Sequence, residues 1–152
     1  MFVFPPQRDA VAPSVEQVRG IALALMIGPL MFGAVLALLY SQEMLPLADA
    51  AIPSLDVGVV VLAATLLLVA FAVRGHVWGR ARAGADPEQK RLAYARGVLL
   101  FYALTEGGIL LALVAVLLSP TVPWPAVGAA VFLWLVQLAV LPGEMQYADV
   151  TG

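Results

Sequence analysis

Four long apolar runs, separated by short polar stretches, organise this chain: Gly20 to Tyr40, Leu55 to Val73, Gly97 to Ser119 and Trp124 to Leu141. A helix needs roughly 20 predominantly apolar residues to cross a hydrocarbon layer about 30 Å thick, and all four runs lie near that length. Only a helix satisfies its backbone N–H and C=O groups within such a segment. The pattern predicts an all-α integral membrane bundle of four transmembrane helices, over 16–41, 55–75, 93–119 and 124–142. A charged connection covers 74–96, and the chain 1–152 forms a single domain.

Local signals mark the boundaries. Ser14 followed by Gln17 is a capping box at the start of the first helix. Asp86-Pro87-Glu88 reads as another helix start, with Asp86 at the N-cap and Pro87 in the first turn. Pro29 removes a backbone donor in mid-run and crowds the Leu25 carbonyl, which predicts a kink. Pro120 to Pro123 allows an immediate antiparallel return, and Pro142-Gly143 closes the last run before a short acidic tail.

Composition reinforces the pattern. The chain is 62% hydrophobic and 12% charged, about half the charged fraction of a soluble domain. Without Cys it has no disulfide framework and no thiolate site, and a net charge of -2 gives no reason to expect nucleic acid. The opening MFVFPPQRDA lacks the basic region and unbroken apolar stretch of a signal peptide, so the first run is expected to act as its own insertion signal. Six of the eight Lys and Arg lie between the second and third runs, and the other two precede the first. By the positive-inside rule the basic connection and both termini are cytoplasmic, as in a multi-pass protein of a bacterial cytoplasmic (inner) membrane. Tyr40, Trp78 and Trp124 then stand near water–lipid boundaries, where amphipathic rings prefer to sit.

The third run holds one ionisable residue, Glu106. It lies roughly 14 Å along a helix beginning at Gly97, near the middle of the hydrocarbon layer. Intramembrane carboxyls usually face protein or a water-filled cavity and mark functional sites. Counted from the cytoplasmic end, Pro29, Thr65 and Trp134 reach the same level, and Tyr102 lies one turn lower with Gln137 close by. The carbonyl freed by Pro29 and the side chains of Thr65, Tyr102, Gln137 and Trp134 are candidate partners for the carboxyl. No Lys or Arg occurs at that depth, so a buried, protonated Glu106 is expected. Two readings follow. Neutral Glu106 ties the bundle together by a hydrogen bond, or it exchanges a proton or cation within an ion-binding set of Glu106, Tyr102, Thr65 and Gln137.

Small residues mark candidate packing faces: Gly20, Ala24 and Gly28 beside Pro29 on the first helix, and Ala103 with Gly107 and Gly108 with Ala112 on the third. The segments beginning at Arg19 and Arg96 share an opening Arg-Gly, and with one gap Gly28 falls opposite Glu106, as a duplicated hairpin would place it. No Ser-His-Asp set, P-loop, GxGxxG or HExxH occurs, so no enzyme, cofactor or metal site is expected. His76 stands alone among arginines and reads as part of a solvated connection.

Tyr102 to Leu118, YALTEGGILLALVAVLL, resembles the carboxylate helix of rotary ATPase c subunits, the proteolipids. The preceding RARAGADPEQKRLAYARG is similar to their polar cytoplasmic loop, with Asp86-Pro87-Glu88 near their R-Q-P-E. That resemblance covers the middle hairpin and implies that Glu106 binds a transported ion. Two departures stand against it. Leu55 to Val73 has only Gly58 where a c ring has a glycine-striped partner helix, and four-helix proteolipids carry the carboxylate on the last helix. The whole chain resembles a group of uncharacterised bacterial four-helix membrane proteins. The shared features are Ala24-Leu25 through Gly28 to Phe32, Ala103-Leu104-Thr105-Glu106-Gly107, and a proline closing the last helix, Pro142. This second resemblance implies a fold and a membrane, and no activity. The expected role is structural or accessory, with membrane lipids and a second copy or another membrane protein as partners. The alternative is a proteolipid-like element that uses Glu106 as its exchangeable carboxyl.

Overall fold

The computed structural model describes residues 12–44, 54–83 and 86–152. It contains five helices: α1 (Val15–Ser41), α2 (Leu55–Arg82), α3 (Pro87–Leu117), α4 (Trp124–Ala139) and α5 (Glu144–Thr151), with no strand among the described residues. α1, α2 and α3 are each long and apolar enough to cross a membrane; α4 and α5 together make a fourth candidate, bent by 68° at its break. The opening residues read as lacking a signal peptide, and 45–53 of the acidic connection, lie outside the described residues.

The helix starts follow their capping chemistry. The Ser14 amide donates to the Gln17 side chain at 2.9 Å, and the Gln17 amide donates to the Ser14 hydroxyl at 3.2 Å. These bonds satisfy two donors that a helix leaves open at its N-terminus. Asp86 accepts from the amides of Glu88 at 2.8 Å and Gln89 at 2.9 Å, with Pro87 in the first turn.

α3 is the axis of the bundle and packs against every other helix. Its buried face runs Tyr94, Val98, Phe101, Tyr102, Thr105, Ile109, Ala112 and Val116 at helical spacing. Around its N-terminal half the core is aromatic, with Trp78, Tyr94, Phe101 and Tyr102. Towards the other end it is built from Ala63, Ala112, Ala115, Ala126 and Ala130, small enough for helices to approach closely. Large apolar side chains cover the outside, among them Ile27, Met31, Leu68 and Phe132. Such an exterior is consistent with a membrane protein and unlike a soluble one.

α2 and α3 meet closely at Gly97, where the Trp78 indole fills the space that a Cβ would occupy. The ring stacks on Tyr94 with centroids 5.5 Å apart, and its Nε1 donates to the Tyr94 carbonyl at 3.4 Å.

The structure corrects several expected boundaries. The connection predicted over 74–96 is mostly helix, because α2 continues to Arg82 and α3 begins at Pro87. Ala, Arg, Lys, Gln and Glu are good helix formers, so the helices outlast their apolar runs. α4 stops at Ala139 instead of reaching 142, since Pro142 disfavours helical backbone just before it and has no N–H to donate. The tail beyond Pro142 is the helix α5, held by tertiary contacts. Val150 is buried, Tyr147 sets its ring edge-on to Tyr94, and Arg82 pairs with Asp149. Arg74 lies over the Trp78 ring at 4.0 Å and donates to the Gln146 side chain at 3.1 Å.

Candidate functional site

Thr105 and Glu106 are neighbours on α3 and, about 100° apart around the helix, have opposite surroundings. Thr105 is fully buried, whereas Glu106 is only partly so. The buried side is a polar clasp between α3 and α4. Gln137 Nε2 donates to Thr105 Oγ1 at 2.7 Å and to the Tyr102 carbonyl at 3.3 Å. The Tyr102 hydroxyl returns a bond to the Gln137 carbonyl at 2.8 Å, and Thr105 Oγ1 donates to the Phe101 carbonyl at 2.8 Å. These bonds satisfy most of the polar atoms that α3 and α4 bury here. Gln137 Oε1 and the Trp134 indole N–H remain buried without a partner.

Glu106 turns instead towards α1. Its Oε1 lies 3.4 Å from the place a Cβ would take at Gly28, so glycine there leaves room for the carboxyl. Pro29, the next residue of α1, is buried and lines a groove of about 330 Å³ with Ile109, Leu113 and Trp134. Among the described residues the Glu106 carboxyl makes no hydrogen bond and no ion pair.

The four residues expected as one ion-binding set therefore do not converge. Tyr102 and Gln137 face each other, and Glu106 stands apart from them. Thr65 is exposed, with its hydroxyl donating to the Val61 carbonyl of its own helix at 2.8 Å. Nor does Glu106 tie the bundle as expected; the clasp of Tyr102, Thr105 and Gln137 does. Depth along a helix gives the level of a side chain but not the direction it faces, and Thr65 shares the level of Glu106 while pointing outward.

The small residues divide in the same way. Gly108 and Ala112 face the core: a Cβ at Gly108 would lie 2.9 Å from Leu133 Cδ1, and Ala112 is fully buried. Ala103 and Ala24 are exposed, and open space surrounds Gly20 and Gly107. α1 buries Val18, Ala22, Met26 and Pro29; of the Gly20–Ala24–Gly28 stripe, Gly28 meets Glu106 of α3, whereas Gly20 and Ala24 are exposed. Against an apolar exterior, small-residue spacing alone does not choose the packed face. Two residues escaped the sequence reading. Thr105 hides within the A-L-T-E-G motif, and the role of Gly97 depends on Trp78, a contact between two helices that local spacing does not reveal.

Comparison with protein-family models, curated proteins and solved structures returns no match.

Proposed function

We propose that this chain is a small multi-pass membrane protein with a structural or accessory role, and that it associates with a second copy of itself through Glu106. In this reading four spans cross a bacterial cytoplasmic membrane, the fourth built on the bent α4–α5 pair, with both termini and the basic ends of α2 and α3 in the cytoplasm. The observation that carries the reading is the Glu106 carboxyl: only partly buried beside Gly28 of α1, without a hydrogen-bond partner among the described residues, and next to open space at Gly107. A polar group left unsatisfied in hydrocarbon costs several kcal/mol, roughly, so a partner from outside the chain lowers the free energy. A protonated carboxyl is donor and acceptor at once. The same group on a second copy therefore completes it in an isologous pair. Exposed Ala103 and partly buried Gly107 on the same helix are small enough to allow the close approach such a pair needs.

The ion-exchange alternative has less geometric support. A bound cation needs several oxygen ligands converging on one point, whereas the free Gln137 Oε1 lies in the α3–α4 clasp, Thr65 is exposed on α2 and Glu106 faces α1.

The test is the oligomeric state of the detergent-solubilised chain across a range of detergent-to-protein ratios. The reading expects a dimer that dissociates on dilution into micelles. A protein that stays monomeric at the highest protein-to-detergent ratio would overturn it.

A further inference from the structure

The basic ends of α2 and α3 enclose a groove of about 510 Å³ to which, among the described residues, no other helix contributes. The cations here are sorted by helical spacing. Arg74 and Arg82, with Trp78 between them, point towards α5, where Gln146 and Asp149 engage them. His76 and Arg80, four residues apart on another face of α2, line the groove, and Arg96 joins them from α3. Among the described residues neither Arg80 nor Arg96 has an ion pair. Asp86, the acid at the start of α3, is occupied as an N-cap.

Two guanidinium groups, with His76 beside them, thus line one cavity with no anion among the described residues that line it, and the two like charges repel each other until an anion enters. The floor between them is apolar, with Val77, Ala81 and Leu92, and Leu100 continues it one turn beyond Arg96 into the apolar part of α3. Charge at one end and an apolar path at the other match an amphiphile better than a free ion.

We infer that this groove binds an anionic phospholipid: Arg80 and Arg96 hold the phosphate, and an acyl chain runs past Leu100. Basic pockets between helices on the cytoplasmic side recognise headgroups in this manner. The inference rests on the membrane reading above, which places the groove at the headgroup level.

Native mass spectrometry of the full chain in detergent tests it, with phosphatidylglycerol, phosphatidylcholine and inorganic phosphate titrated separately. Phosphatidylglycerol is expected to bind in preference to phosphatidylcholine. Arg80→Gln and Arg96→Gln are each expected to weaken it about fivefold, from roughly 1 kcal/mol per basic residue near a lipid surface. Lys90→Gln with Arg91→Gln removes the same charge outside the groove and is expected to change binding less than about twofold, melting temperature serving as the check on folding. Equal losses in the two pairs would overturn the inference in favour of diffuse charge. Inorganic phosphate displacing the lipid at equal concentration would overturn it in favour of a free-anion site, and no preference between the two lipids would overturn it outright. Extraction of the protein from membranes by alkaline carbonate is a separate readout. Extracted protein sinks the membrane reading itself, whereas retained protein without lipid preference sinks only the groove.

Discussion

Gln137 on α4 donates to the Thr105 hydroxyl on α3 at 2.7 Å, one residue along the chain from a carboxyl that faces away from it. That pairing makes Thr105, not Glu106, the polar link between the two helices. A double-mutant cycle of Thr105→Val and Gln137→Leu, read by denaturation in mixed micelles, should show a coupling of about 0.6 kcal/mol and at most ~1.7 kcal/mol. Additive effects would mean that the bond contributes nothing to stability.

The glycines separate by surroundings. Gly97→Ala forces a Cβ into the Trp78 indole, and overpacking of this kind should destabilise by about 1–3 kcal/mol. Gly107→Ala meets open space and should leave the monomer unchanged or gain up to about 1 kcal/mol from helix propensity. Equal melting behaviour of the two variants would show that the α2–α3 approach is looser than described.

α5 depends on the cation beneath it. Arg74→Ala removes the guanidinium from the Trp78 ring and the bond to Gln146. Together these contribute about 2 kcal/mol, and protease should then cut more readily after Gly143. Arg80→Ala, which faces the groove, should leave that cleavage unchanged. An effect of the same size from both would place α5 under general charge control.

The four apolar runs, the capping box at Ser14 and the Asp86 N-cap were all legible in the sequence because each is a local consequence of solvent or backbone chemistry. Helix ends beyond the apolar runs were not. Arg80 and Lys90 are polar yet helical, and hydropathy reports the solvent, not the backbone. α5 was invisible because Glu144–Thr151 has little apolar signal of its own and is ordered by Arg74, Arg82 and Tyr94 from elsewhere in the chain. The site was half legible. Tyr102 and Gln137 do meet, as their shared depth suggested, but rotation about each helix axis turned Thr65 and Glu106 away from them.

Orientation has its own test. With six basic residues gathered at one end of α2 and α3, a reporter fused after Gly152 should read cytoplasmic. A periplasmic reading would invert the proposed topology.

In the proposed pairing, Glu106 meets the same carboxyl on a second copy. The chain has no Cys, so Gly107→Cys places a single thiol beside the carboxyl. The measurement is the yield of disulfide-linked dimer in native membranes, compared across Glu106, Glu106→Gln and Glu106→Ala backgrounds. Gln keeps a donor and an acceptor, so its yield should match the parent. Ala loses both and should reduce dimer about threefold to twentyfold, the equivalent of ~0.6–1.7 kcal/mol for an interhelical bond. Dimer yield in the Ala background equal to that of the parent would contradict a pairing through Glu106.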